Sequence, residues 1–250
     1  MKLKPLSLLI MAALSAPLAV QAADSPHSLS GNISLTSDYV FRGVSQTQNG
    51  PAIQGGFDYS HASGFYIGTW ASNVGWVEEG GYKTDSSMEI DLYGGFRGSM
   101  GPVGYDLGVI TYYYPGDEIT GIKTPDTTEL YVGASWEFLS AKYSHVVSSN
   151  FIGWYDYVQN ESSRHSKYLE LNGTYDLGSG WGVLGHVGHQ WVNNISDADY
   201  TDWKLGVTKD IGFGVVTLAY SDTNADEDFY TIAGEEIADG RVFVSFSKTF

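Results

Sequence analysis

Apolar and polar residues trade places at every second position along most of this chain. In 88–98, Met88, Ile90, Leu92, Gly94 and Phe96 alternate with Glu89, Asp91, Tyr93, Gly95 and Arg97. In 103–114, Val103, Tyr105, Leu107 and Val109 oppose Gly104, Asp106 and Gly108. In 127–138, Leu130, Val132, Ala134, Trp136 and Phe138 oppose Glu129, Tyr131, Gly133, Ser135 and Glu137. Period two marks a strand with one apolar and one polar face. Twelve such segments can be cut: 32–42, 51–60, 65–74, 88–98, 103–114, 127–138, 141–148, 166–177, 181–192, 200–210, 214–222 and 240–250. Most are about 9–12 residues long, which exceeds a usual globular strand and suits a tilted strand crossing a bilayer.

The connections alternate as well. Short ones fall at 61–64, 99–102, 139–140, 178–180 and 211–213, and long ones at 43–50, 75–87, 115–126, 149–165, 193–199 and 223–239. The pattern predicts an all-β fold, a transmembrane antiparallel up-and-down β-barrel of about 12 strands. Short turns and both termini then share one side. The last segment, ending on Phe250, closes against the strand beginning near Asn32 and so removes both sheet edges. A β-sandwich is the alternative. Ring placement favours the barrel. Tyr59, Phe65, Phe96, Tyr105, Trp136, Phe138, Tyr143, Tyr175, Trp181 and Phe250 lie near short-turn ends. Tyr39, Phe41, Tyr113, Trp191 and Trp203 lie near long-loop ends. Amphipathic rings gather at the two membrane–water interfaces, whereas a sandwich would bury them mid-strand.

The first residues change the setting. Lys2 and Lys4 precede an apolar run from Leu6 to Val20, and Val20-Gln21-Ala22 is a small-residue cleavage site. Residues 1–22 therefore read as a signal peptide cut after Ala22, and 23–250 as one barrel domain. The expected address is the bacterial outer membrane. The chain has no Cys, which excludes both a lipoprotein anchor and a disulfide framework. A formal net charge of −16 argues against nucleic acid as a partner, because phosphate binding needs a basic surface.

The stretch from Ser37 to Trp76 carries a resemblance. Its pieces are Ser37-Asp38-Tyr39-Val40-Phe41-Arg42-Gly43, Gln54-Gly55-Gly56-Phe57-Asp58-Tyr59, and Gly64-Phe65-Tyr66 followed by Gly68-Thr69-Trp70-Ala71-Ser72-Asn73. These resemble the opening of the TorF-type putative porin family of proteobacteria, also labelled Gcw_chp, and the Ser-Lys-Thr-Phe ending is similar too. The resemblance implies a Gram-negative outer-membrane channel. It implies no substrate and no catalytic residues.

Charges on lipid-facing positions would cost up to about 2–4 kcal/mol each at the bilayer midplane, so alternation assigns them to the lumen. The candidate pore-lining set is Arg42, Asp58, Glu89, Asp91, Arg97, Asp106, Glu129, Glu137, Lys142, Glu170, Asp176, Asp202, Lys204 and Arg241. Carboxylates outnumber bases in it. It therefore reads either as an aqueous acidic lumen with a modest cation or neutral preference, or as a wall partly paired in salt bridges. Arg42, Arg97 and Arg241 could make a basic patch opposite the carboxylates. The aromatic loop 149–165 reads as an inward constriction, a sugar-stacking surface, or a self-packed loop. In 222–239, Asp222, Asn224 and Asp226 begin like a calcium loop, but Glu227 and Ala233 break the pattern. A solvated acidic loop, bridged by divalent ions to lipopolysaccharide, fits better.

The functional expectation is passive diffusion of small polar solutes. The alternatives are an outer-membrane lipid-modifying enzyme and a closed structural or adhesive barrel. No Gly-x-Ser-x-Gly elbow and no zinc-ligand spacing occur, and His186 and His189 fall on opposite strand faces. The expectation is therefore of no enzyme, cofactor or metal. Expected partners are outer-membrane lipid, lipopolysaccharide, small polar solutes, and the barrel-assembly machinery through the strand ending at Phe250.

Overall fold

A computed structural model describes residues 25–250. The expected leader at 1–22 and its cleavage site lie outside them. Twelve strands form a closed antiparallel barrel. They are β1 (His27–Thr36), β2 (Ala52–His61), β3 (Phe65–Asn73), β4 (Met88–Met100), β5 (Val103–Tyr113) and β6 (Thr127–Trp136). Then follow β7 (Leu139–Val146), β8 (Lys167–Gly178), β9 (Trp181–Trp191), β10 (Tyr200–Asp210), β11 (Val215–Thr223) and β12 (Arg241–Thr249). Each strand pairs with its sequence neighbour, and β12 pairs with β1 to close the ring. At that seam the Phe250 N–H donates to Gly31 O at 2.9 Å and the Gly31 N–H donates to Phe250 O at 2.8 Å. The Phe250 ring lies where a Gly31 Cβ would be.

Alternation sets the two faces. Leu29 (75% exposed), Phe57 (61%) and Leu205 (61%) stand outward, while Glu89 (2%), Glu129 (1%) and Asp202 (1%) point inward. Water would penalise that outer band, and hydrocarbon would not. Rings rim it on both sides. Phe65, Trp136, Tyr175, Trp181 and Phe250 lie at the short-turn end, and Tyr113, Trp191 and Trp203 at the loop end. The described residues contain no helix long and apolar enough to cross a membrane.

The first segment is corrected. The strand runs from His27 to Thr36, and alternation beyond it belongs to the loop 37–51. The reason is a second, shorter hairpin. Val40–Phe41 pairs with Val44–Ser45 around Arg42-Gly43, both at positive φ (49° and 79°), as a tight two-residue hairpin turn requires. This hairpin folds into the barrel. Tyr39 and Phe41, expected at the outer interface, instead lie against Trp70 and Tyr112 on the inner wall.

Candidate functional site

The inward hairpin defines the lumen. Its root is tied by Asp38, whose Oδ1 accepts from Ser45 Oγ (2.6 Å) and Thr47 Oγ1 (3.2 Å). Asp38 Oδ2 pairs with Arg241 Nη1 at 3.3 Å, and the same Nη1 donates to Asn49 Oδ1. The tip crosses the barrel. Arg42 grips Glu129 on β6 through Nη1 (3.0 Å) and Nη2 (2.7 Å), and Gln190 on β9 through Nη1 (2.9 Å). The Arg42 guanidinium also sits 4.2 Å from the ring centre of Tyr168 on β8. Burial alone would lower the Arg42 pKa, but the Glu129 carboxylate outweighs it and holds the group above its ordinary value. Gly43 rests on the wall beside it. A Cβ there would collide with Thr223 Cγ2 and Asp202 Cβ, so glycine permits both the turn and the contact.

The other long loops close over this hairpin. Val44 packs with Val146, Phe151, Val192, Tyr200, Tyr230 and Ile237. A second cluster joins Val74, Trp76, Val77, Ile110, Tyr112, Tyr114 and Tyr131, with Tyr39 and Phe41 against it. Ile152 and Ile232 touch both clusters. Phe151 and Trp154 of the aromatic loop are thus part of the cap over the outer mouth, while Tyr155 and Tyr157 meet edge to face. Arg42 is therefore not a strand residue of the wall. It is the tip of a plug, and its positive φ is a turn feature that alternation does not reveal.

Beneath the plug lies a cavity. It extends from Asp38 and Arg42 to Thr174, Thr217 and Thr249 near the short-turn end. One arc of its wall is charged and cross-linked. Tyr93 donates to Asp58 at 2.7 Å, Tyr66 donates to Asp106 at 2.6 Å, and Arg97 lies 3.9 Å from the Tyr66 ring centre. Lys142 pairs with Glu170 at 3.0 Å. His186 contacts Asp202 at 2.7 Å and Asn172 at 2.6 Å, and Asn172 Nδ2 donates to Glu170 at 2.9 Å. Lys204 lines the cavity and makes no ion pair among the described residues. The opposite arc, on β11, β12 and β1, is small and hydroxylated, with Thr217, Ser221, Ser245, Ser247 and Ser34.

Asp58, Glu89, Asp91, Arg97, Asp106, Glu129, Lys142, Glu170, Asp202 and Lys204 lie on the inward face of the wall, and Arg241 begins β12 at the outer rim. Glu137 does not join them. β6 ends at Trp136, and Glu137 forms the exposed turn at φ 52°. Asp176 is exposed at the turn end of β8, where it accepts from the Gly178 N–H at 2.7 Å. The three arginines do not gather. Arg42 is at the plug tip, Arg241 at its root, and Arg97 near the short-turn end of β4. Sequence reading missed Tyr66, Tyr93 and Tyr168, whose signal was an aromatic ring on the polar face of an alternating strand. His186 meets Asp202 and Asn172 rather than a serine, and His189 faces the other way against Thr201 and Trp191. Glu227, Glu236 and Asp239 converge on the exposed outer loop.

Residues 20–250 match the model of the Gcw_chp family, described as a bacterial protein of unknown function. No curated protein sequence matches the chain. Among solved structures, a KdgM porin aligns with a TM-score of 0.53 at 7% identity, over 88% of this chain and 98% of that one. A KdgM porin in complex with disordered oligogalacturonate aligns at 0.53 and 7%, over 89% and 98%. A NanC porin aligns at 0.55 and 9%, over 88% and 98%. At these identities the likeness is one of fold.

Proposed function

The chain belongs to the Gcw_chp family, and we propose that it is an outer-membrane channel of TorF-type porin character for small polar solutes. One observation carries this reading. The closed barrel encloses a cavity lined by charged, hydroxylated and aromatic side chains, and its outer end is stopped by a self-inserted hairpin that is held by the Arg42 side chain and by the Ser45 N–H on Ile237 O of the outer loop, with no ladder pairing to the wall. His186 meets Asp202 and Asn172, so the serine–histidine pair of a barrel hydrolase is not assembled at that position. The similarity of fold to KdgM and NanC porins supports the same reading.

The channel favours cations and neutral solutes modestly. Lys142–Glu170 and Arg42–Glu129 neutralise one another, and on the chamber wall Asp58 and Asp91 stand against Arg97 and Lys204, none of the four in an ion pair among the described residues, so the negative excess comes from the outer rim. Glu227, Glu235, Glu236 and Asp239 add negative charge at the outer rim. Charges within a Debye length of about 8–10 Å act on passing ions. Planar-bilayer recording in a salt gradient tests both statements. Discrete conductance with a reversal potential on the cation side is expected. Absence of conductance sinks the channel reading, and a clear anion preference sinks the selectivity.

A further inference from the structure

Asp91 presents a problem that the channel reading does not solve. It is 3% exposed, its Oδ1 is buried without a hydrogen-bond partner, and no ion pair among the described residues includes it. A buried carboxylate left in that condition is strongly destabilising. Arg42 is committed to Glu129 and Gln190, Arg97 lies over Tyr66, and the charged groups that act on Asp91 are the Glu89 and Glu129 carboxylates.

Its surroundings are aromatic. Trp70 on β3 and Tyr112 on β5 stand directly opposite Asp91 in the two flanking ladders, on the same inward face. The inserted hairpin adds Tyr39, 5.4 Å from Trp70, and Phe41, 5.6 Å from Tyr112, measured between ring centres. Tyr93 lies two residues along β4. All six line the same cavity. The tyrosine hydroxyls are already committed, Tyr39 to Glu89 at 2.7 Å and Tyr93 to Asp58 at 2.7 Å. They offer rings rather than oxygen ligands to whatever lies between them.

The geometry points to a binding site for a small monovalent organic cation, an alkylated or quaternary ammonium, with Asp91 as counter-ion and Trp70, Tyr112, Tyr39 and Phe41 as its cage. This rests on the channel reading and names a solute class for it. A hydrated metal ion fits poorly, because a hard cation needs about six or more oxygen ligands. A soft ammonium needs a carboxylate and ring faces within about 6 Å. Since Tyr39 and Phe41 come from the plug, the occupied cage also ties the hairpin to the wall.

The probe is choline, with its uncharged isostere 3,3-dimethylbutan-1-ol as control. Binding is measured by titration calorimetry on the purified, detergent-solubilised barrel. Saturable one-to-one binding of choline is expected, with none measurable for the isostere. Asp91→Asn keeps the side-chain shape and is expected to weaken choline roughly tenfold or more. Trp70→Leu is expected to weaken it also, with folding of both variants verified by heat-modifiable gel mobility. Equal binding of choline and isostere, unchanged affinity in Asp91→Asn, or displacement by potassium at matching concentration overturns the site. A barrel that conducts without binding choline removes this inference alone. One that binds choline without conducting removes the channel reading and leaves the site.

Discussion

Replacing Arg42 with Met should open the outer mouth. The substitution keeps an unbranched stem of similar reach and deletes the guanidinium. It removes three hydrogen bonds, two to Glu129 and one to Gln190, and the contact with the Tyr168 ring. Both members of the Arg42–Glu129 pair are nearly inaccessible, with side-chain exposures of 5% and 2%. Removing one partner of a buried pair costs about 3–5 kcal/mol, most of it from the charge left alone. The barrel ladder is untouched, so the loss falls on the inserted hairpin. At about 1.4 kcal/mol per tenfold, the closed-to-open ratio falls by roughly two to three and a half orders of magnitude. Single-channel recording should show longer or permanent openings in Arg42→Met. Glu129→Gln should act in the same direction, because it strands the arginine. The Arg42→Met/Glu129→Met double variant should recover much of the closure, since it leaves no buried charge. Folding is checked by heat-modifiable mobility. A folded Arg42→Met barrel with wild-type conductance and open probability would refute the plug.

Gly43→Val forces a β-branched residue to positive φ and into Thr223 and Asp202, so it should displace the tip and raise conductance without loss of folded protein; unchanged currents would contradict the contact. Arg at Leu92, Val132 or Leu171 faces lipid and should cost about 2–4 kcal/mol at the midplane, seen as loss of heat-modifiable protein after refolding. A Cβ at Gly133 meets only ordinary contacts, 3.6 Å to Ala141 O, so Arg there should fold but change conductance; equal loss at both kinds of site would reject the face assignment. Lys142→Met leaves Glu170 without its 3.0 Å partner and should move the reversal potential further toward cations; no shift would remove Glu170 from the ion path.

The wall was legible because a barrel writes itself in period two. Strands β4, β5 and β8 to β11 begin within about a residue or two of where alternation places them, because lipid on one side and polar groups on the other constrain every position. The plug was not legible for the same reason. Tyr39, Phe41 and Arg42 continue the alternation of β1 in phase, and the turn at Arg42-Gly43, both at positive φ, leaves no mark in that pattern. The motif Ser37–Gly43 was visible as a motif, but its role depends on Glu129 and Gln190, which lie 87 and 148 residues away. Pairings at that range leave no local trace. Asp91 was placed on the inner face by parity alone. That it lacks a counter-ion depends on where Arg42 and Arg97 spend their charges, which one-dimensional counting cannot follow.

The seam between β1 and β12 has a kinetic meaning. Every other pairing in the wall joins strands adjacent in the chain, closed by turns or loops, whereas Thr36 meets Ser245 across roughly 200 residues. Loop closure at that length costs about 3 kcal/mol more than across a ten-residue connection, by the logarithmic rule. Until it happens, the growing sheet carries two unsatisfied edges in search of a partner. The eleven hairpin-linked pairings can therefore form early and locally, while the seam waits for the whole sheet to curl. The slow step of assembly and the step most open to interception by another chain are then the same event, located at Gly31 and Phe250.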